Sequence, residues 1–228
     1  MSELSSHSLF HYTRSLECLQ CIIKDGLRFS MIGERIPGNQ LAYFVPSISF
    51  CNIPLSKMSE HAEWYGHYAI GVKPYWVKLQ GGTPVVYCHS SSPIIPHSRS
   101  DRYQNSFSTN PITPFLKQTR GKATRAGVSR YKDYIDEKEW RIIDKSFIYP
   151  VYHFDNQEDL EQIVNDEKEA YNPKYLKIPF SDIEYIMLEK RSDLPLFIFW
   201  LKNECNDDVV CSLLISKILI FFDLKRDI

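Results

Sequence analysis

Apolar residues along the chain recur with two periods, which predict strands alternating with helices. Alternation or short β-rich runs predict strands over residues 9–12, 42–45, 47–51, 67–72, 84–88, 183–188 and 216–222. Helical spacing predicts helices over residues 16–24, 55–65, 155–171 and 194–205, and a helical turn over 74–78. Residues 31–42 hold glycine and proline, which predicts a loop. These elements predict an α+β fold: one domain with central mixed or antiparallel sheets and flanking helices.

Two glutamates occupy the point where residues 131–143 change from polar to apolar. In an extended backbone, Glu137 and Glu139 would face the same side, and their carboxylates would repel each other. One interpretation is a solvated edge strand whose acids pair with nearby cations; the other is a functional site. The cations considered for this pairing are Lys132, Lys138 and Arg141.

A run of positive charge precedes these glutamates. Its cations are Lys117, Arg120, Lys122, Arg125, Arg130 and Lys132. Gly121 and Gly127 predict that the segment is a loose loop. A basic segment with aromatic neighbours can grip phosphates and stack bases, so it predicts nucleic acid, RNA or DNA, as a partner and substrate. A solvated loop without a ligand is the alternative.

Composition excludes few classes. The formal net charge is -1, so no global field attracts nucleic acid or membrane, and 43% hydrophobic residues suffice for a core. Residues 1–8 lack an apolar run and the longest apolar run spans residues 194–201, so we expect no signal peptide, no membrane association and a cytoplasmic protein. We expect six reduced cysteines, with Cys18 and Cys21 in the core rather than on a metal.

Polar side chains also gather where the first predicted strand meets its helix. His11 and Thr13 stand at this junction, where backbone N–H groups are available to a ligand. Taken alone, His11 fits a core histidine better than a ligand-binding one, and Thr13 or Ser15 is the helix cap.

Three short segments carry a resemblance to known proteins: Phe10-His11-Tyr12-Thr13, residues 48–56 and residues 137–141. Together they resemble the AbiGi family of abortive phage-infection proteins and, more broadly, the ADP-ribosyltransferase superfamily that includes the DarT toxins. The resemblance implies a single ADP-ribosyltransferase-like domain over residues 1–228. Its core would span residues 9–143, and residues 144–228 would form a C-terminal elaboration.

The same resemblance implies an enzyme that takes NAD as substrate and needs no metal. The residues implied to bind NAD are His11, Tyr12, Thr13, Ser49, Phe50 and Tyr68, with Tyr43 as a further candidate to stack on nicotinamide. Glu139 is the implied catalytic carboxylate, which stabilises positive charge on the ribose and is oriented by Ser49. Glu137 is implied to take the proton of the acceptor.

Three functions stay open. The first is an NAD-dependent ADP-ribosyltransferase toxin of phage defence that modifies nucleic acid and pairs with a cognate antitoxin protein. The second is a non-catalytic antitoxin or sensor that binds a partner protein or a nucleotide, since the second motif reads Ser-Ile-Ser rather than Ser-Thr-Ser. The third is a magnesium nuclease that uses Asp133, Asp136, Glu137 and Glu139.

Overall fold

The computed structural model describes residues 5–38, 40–93, 95, 107–125 and 128–227. Its strands are β1 (Leu9–Thr13), β2 (Leu27–Arg28), β3 (Ser30–Arg35), β4 (Leu41–Cys51), β5 (Tyr68–Val72), β6 (Thr83–Pro84), β7 (Val86–Cys88), β8 (Leu116–Gln118), β9 (Arg120–Arg125), β10 (Val128–Asp133), β11 (Glu139–Ile143), β12 (Val151–His153), β13 (Tyr175–Leu176), β14 (Ile183–Leu188) and β15 (Ile218–Ile220). Its α-helices include α1 (Leu16–Asp25), α2 (Met58–Tyr65), α3 (Pro74–Leu79), α4 (Gln157–Ala170), α5 (Asp193–Glu204), α6 (Asp208–Ile215) and α7 (Phe221–Asp227).

The chain divides into two compact units. The first unit comprises Met1–Arg28, Phe50–Gln80 and Tyr175–Ile228, and the second unit comprises Phe29–Ser49 and Gly81–Lys174. Each unit contains both strands and helices, and antiparallel pairs coexist with the parallel pair of β14 and β15. The predicted combination of helices with mixed sheets is therefore confirmed, whereas the single domain stays a prediction.

The first unit is built on β1. This strand pairs antiparallel with β5, placing His11 opposite Ile70 and Thr13 opposite Tyr68. On its other edge Phe10 pairs with Cys51 at the end of β4. The Ser15 side chain then caps α1 by accepting a hydrogen bond from the Cys18 backbone N–H at 3.2 Å, so Ser15 rather than Thr13 is the cap.

The second unit is built on β4. Within it, β3 and β12 both pair antiparallel with β4, and β11 lies between β4 and β6. One buried cluster includes Tyr43, Val45 and Leu116. A second cluster joins Phe44 to Leu160 of α4, so successive residues of β4 point into two different cores, as the two-residue period of a strand requires.

Several sequence predictions fail for identifiable reasons. Residues 31–42 are not a loop, because β3 runs from Ser30 to Arg35. Gly33 serves a close approach rather than a turn, since a Cβ there would lie 2.6 Å from the ring of Phe44. The basic segment is not a loose loop either, because β9 and β10 form an antiparallel hairpin there. Gly127 lies outside the described residues.

The C-terminal part also differs from its prediction. The strand predicted over residues 216–222 is shortened to β15, and the chain continues as α7. Helix α6 was not predicted; the Asp207 side chain caps it by accepting from the Val209 and Val210 backbone N–H groups. Cys18 and Cys21 are exposed, so their predicted burial in the core is wrong. Among the described residues, none of the helices is long and apolar enough to cross a bilayer.

Gly66 holds α2 against the end of β1, and this contact gives a stability test. Its φ is +116°, and a Cβ would lie 2.1 Å from the Thr13 carbonyl oxygen. We expect Gly66→Ala to lower the free energy of unfolding by at least about 2 kcal/mol, since the backbone must move and the left-handed region is unfavourable. Thermal and urea unfolding measure this. The control is Glu60→Ala, an exposed position of the same helix, which should change stability by less than about 0.5 kcal/mol. Equal stability of the two variants would contradict the contact.

Candidate active site

Glu139 is the first residue of β11, and the backbone before it is not extended. Residues Ile135–Glu137 form a 3-10 turn, and Lys138 adopts the left-handed conformation with φ 43°. The assumption that Glu137 and Glu139 lie on one extended strand is therefore wrong. The tight turn nevertheless brings both carboxylates to the same ammonium group, that of Lys117.

The Glu139 carboxylate lies among donors from three strands. Its Oε1 accepts from the Ser49 hydroxyl at 2.8 Å and from Arg141 Nε at 2.7 Å. Its Oε2 accepts from Lys117 Nζ at 2.7 Å and from Arg141 Nη2 at 3.1 Å. The side chains of Ser49 and Glu139 meet because β4 and β11 are neighbours in the sheet. Both carboxylate oxygens are thus covered, and Glu139 is only 7% exposed.

The Glu137 carboxylate is held by two ammonium groups. Its Oε2 lies 2.8 Å from Lys117 Nζ, and its Oε1 lies 2.5 Å from Lys132 Nζ. Glu137 is only 3% exposed. The alternative of a solvated edge strand is wrong, because both glutamates are buried. Its expected ion pairs are nevertheless present, since Lys132 contacts Glu137 and Arg141 contacts Glu139.

Arg141, which contacts Glu139, is fully buried and also binds two further side chains. Its Nη2 lies 2.6 Å from Glu34 Oε1, and its Nη1 donates to the hydroxyl of Tyr43 at 2.6 Å. The Tyr43 hydroxyl donates in turn to the Leu116 carbonyl oxygen at 2.7 Å, directly before Lys117. A buried guanidinium tolerates removal from water only when its N–H groups find such partners.

We call this group the charge cluster. Its members are Glu34, Lys117, Lys132, Glu137, Glu139 and Arg141. Three carboxylates face three cations, so the formal charges balance. This balance explains how so many ionised groups can lie inside the second unit.

Opposing effects set the protonation of the cluster. Burial by itself would raise the pKa of Glu139, but Arg141 and then Lys117 outweigh burial and hold that pKa far below its ordinary value. Burial likewise acts to raise the pKa of Glu137, and Lys117 and Lys132 reverse its effect and lower the pKa. Burial acts to lower the pKa of Lys117, yet the surrounding glutamates keep it well above the ordinary lysine value. Both carboxylates therefore stay ionised at neutral pH.

The sequence did not identify two members of the site as such. Glu34 lies in a segment that was predicted as a loop, and Tyr43 was proposed for stacking on nicotinamide rather than for binding Arg141. Arg141 was among the cations expected to pair with these acids, and its position two residues after Glu139 on a strand places it on the same face. No local pattern indicates Glu34, whose partners are distant in sequence.

The other residues implied to bind NAD lie in the first unit. The rings of His11 and Phe50 meet edge to face, with centroids 5.9 Å apart. Tyr12 packs against His61, with centroids 4.9 Å apart. Tyr68 is buried, and its hydroxyl donates to Asp193 at 2.9 Å. The prediction that these residues and Glu139 bind one NAD molecule stays a prediction.

The basic residues of the predicted nucleic-acid segment divide into two groups. Lys117 and Lys132 contact carboxylates of the charge cluster. Lys122 and Arg130 are exposed, and exposed Arg120 pairs with Asp133 at 2.8 Å. The side chain of Arg125 lies outside the described residues.

The carboxylates invoked for a nuclease are not arranged as a metal site. Asp133 pairs with Arg120, whereas Glu137 and Glu139 contact lysines. In the part of the chain that the structure describes, three or more histidine, cysteine or acidic side chains are nowhere grouped so as to hold a metal ion.

Comparison with known proteins finds phage-resistance proteins. The family described as "Putative abortive phage resistance protein AbiGi, antitoxin" matches residues 41–189, which is more than half of the chain. The abortive phage resistance protein AbiGi of Lactococcus lactis subsp. cremoris is 24% identical over 227 residues, covering 81% of this chain and 89% of that protein. No solved structure matches the chain. The matched range contains every member of the charge cluster except Glu34.

The charge cluster predicts a loss of stability in acid. Unfolded glutamates have a pKa of about 4.3, and the folded values of Glu137 and Glu139 are lower. Between these values the unfolded chain binds more protons, so stability is fully present above the unfolded pKa and is lost as the pH falls below it. We expect the free energy of unfolding, measured with urea from about pH 7 to about pH 3, to change little above about pH 5 on account of these two groups and to fall below it.

Glu139→Gln tests the assignment. This variant should be less stable at neutral pH by about 3 kcal/mol or more, because buried cations lose a partner, and should depend less on pH. The matched control is Glu60→Gln, which replaces an exposed glutamate and should keep the wild-type pH dependence. A Glu139→Gln variant with the wild-type acid dependence would show that Glu139 does not titrate as described.

Proposed function

The chain belongs to the AbiGi family of abortive phage resistance proteins, and from that premise we propose that it is an ADP-ribosyltransferase of phage defence. Its substrates would be NAD and a nucleic acid. The observation that carries the proposal is the 2.8 Å hydrogen bond from the Ser49 hydroxyl to Glu139 Oε1. The resemblance drawn from the sequence requires this contact between two side chains 90 positions apart.

The chemistry explains why an oriented carboxylate matters. When the nicotinamide–ribose bond breaks, nicotinamide leaves with the bonding electrons and positive charge develops on the ribose. An ionised carboxylate that accepts a hydrogen bond from the ribose 2′-hydroxyl stabilises this charge most in the transition state. The low pKa of Glu139 supports the required ionised form.

The acceptor supplies the electron pair of the new bond. A nucleophilic atom of the nucleic acid would attack the ribose carbon that nicotinamide leaves, and its proton would pass to Glu137. Because Lys117 and Lys132 hold this carboxylate and lower its pKa, Glu137 would accept the proton only once one of the two ammonium groups has moved away.

Lys117 would have to leave the Glu139 carboxylate before NAD could bind there. Its ammonium group lies 2.7 Å from Glu139 Oε2, on the side of the carboxylate that Ser49 leaves uncovered. A ribose hydroxyl would therefore replace Lys117 at this oxygen. Under this proposal, the described arrangement would be a resting state in which Lys117 occupies the position that the ribose hydroxyl would take.

Transfer of label from NAD to nucleic acid tests the proposal. We expect the wild-type chain to modify RNA or DNA, and Glu139→Gln to lower the rate by at least about 100-fold. Because Glu139→Gln also destabilises the second unit, Ser49→Ala is the milder variant. It keeps Glu139 on Arg141 and Lys117 and should lower the rate by about 10-fold, the effect of one charge-assisted hydrogen bond.

The controls separate folding from chemistry. Thermal unfolding should show that Ser49→Ala is folded at the assay temperature, and Glu60→Gln should transfer label at the wild-type rate. A folded wild-type chain that neither consumes NAD nor labels nucleic acid or protein would refute the enzymatic proposal.

A second candidate function is that of a non-catalytic antitoxin, which the family's description names. Both oxygens of Glu139 are covered by protein donors, an arrangement that equally suits a structural cluster. In the first unit, Leu196, Phe199 and Val209 are between 65% and 78% exposed, and apolar side chains of this kind are common in protein interfaces.

Affinity capture and substitution distinguish this candidate. If the chain is an antitoxin, Phe199→Asp should reduce capture of the partner by about 10-fold or more, while Ser49→Ala leaves both capture and phage resistance unchanged. Ile148→Asp is the control, since Ile148 is 91% exposed and lies in the second unit. Phage resistance that disappears in Ser49→Ala would instead favour the transferase.

A further inference from the structure

The hairpin of β9 and β10 has one inward and one outward face. Residues directly opposite each other in an antiparallel pair point to the same face. The register places Lys122 opposite Tyr131 and Arg120 opposite Asp133, so these four side chains share one face. Gly121 and Lys132, opposite each other, belong to the other face.

Contacts show that the face with Gly121 and Lys132 is the inward face of the hairpin. Lys132 reaches into the charge cluster and lies 2.5 Å from Glu137. A Cβ on Gly121 would lie 2.5 Å from the Gln118 amide nitrogen and 3.2 Å from the Tyr134 ring. The face with Gly121 and Lys132 therefore packs against other residues of the second unit, and the face with Tyr131 points away from them.

The outward face combines a flat ring with positive charge. Tyr131 is 75% exposed, which is unusual for so large an aromatic side chain, and Lys122 beside it is exposed as well. Neighbouring strands lie about 4.8 Å apart, so the Lys122 ammonium group can reach a phosphate next to a base that stacks on Tyr131. Arg120 pairs with Asp133 across the same face, with 66% of its side chain exposed. An ion pair this exposed contributes little to stability, so a phosphate can compete with Asp133 for Arg120.

We propose that this face binds single-stranded nucleic acid, with a base stacked on Tyr131 and phosphates bound by Lys122 and Arg120. A duplex stacks its bases inside, where a tyrosine on a hairpin cannot reach them, whereas a single strand offers its bases and its phosphates together. The role of this strand as acceptor rests on the proposed transferase function; its binding does not.

Fluorescence anisotropy with short labelled oligonucleotides tests the proposal on the full chain. Single-stranded RNA, single-stranded DNA and a DNA duplex of the same sequence are titrated without NAD at several salt concentrations. We expect both single strands to bind more tightly than the duplex, and the comparison of RNA with DNA shows which of the two this surface prefers. Tyr131→Ala should weaken single-strand binding by about 5- to 100-fold, while Tyr131→Phe retains it. Lys122→Ala should reduce the slope of log affinity against log salt by about 1.

The matched control is Tyr175→Ala, which removes a tyrosine that is 55% exposed in the first unit and should leave binding unchanged. Wild-type affinity in Tyr131→Ala, or a duplex bound as tightly as a single strand, would overturn the proposal. Because the assay contains no NAD, its failure is distinct from failure of the transferase. A transferase without this surface would still consume NAD, and a strand-binding protein without transferase activity would still show the Tyr131 effect.

Discussion

The salt bridges that join Glu139 to Arg141 and Lys117 are the interaction on which the second unit depends. Removing a carboxylate from water is costly, and burial alone would push the pKa of Glu139 upward. The two cations reverse that effect, so the buried carboxylate stays charged. Charge in the interior is tolerable only as a complete set, because removing one partner leaves another uncompensated. Glu34 and Tyr43 complete the set by binding Arg141.

In the proposed transferase, the same set of charges would link stability to catalysis. A carboxylate held ionised beside Ser49 suits the stabilisation of a ribosyl cation, but the same carboxylate is covered by Lys117 in the described state. A ligand that displaces Lys117 must replace its hydrogen bond and its charge. In the proposed reaction the ribose 2′-hydroxyl would supply the hydrogen bond and the positive charge that develops on the ribose would supply the charge, whereas an uncharged ligand would supply only the hydrogen bond. The cluster would therefore favour the transition state over a loosely bound substrate.

The hairpin beside the cluster shows how one basic segment can serve two purposes. Alternation along β10 directs Lys132 inward to Glu137 and Tyr131 outward to solvent. The inward lysine belongs to the charge balance of the interior, and the outward residues are those available to a polyanion. Net charge along the segment does not distinguish these roles; the register with β9 does.

The sequence by itself determined the local elements and the key glutamate. Strand β1, helix α1 and strand β14 follow from periodicity and from capping residues that act within a few positions, although the structure was needed to choose Ser15 over Thr13 as the cap of α1. The identity of Glu139 as the residue facing Ser49 followed from motif resemblance. Tertiary structure decided the rest. The burial of Glu139 depends on pairings between strands that are far apart in sequence. The same pairings bring Lys117 to Glu139, and they bring Glu34 and Tyr43 to Arg141. Local patterns carry no information on such pairings, because the free energy of a buried charge is set by all of its neighbours at once.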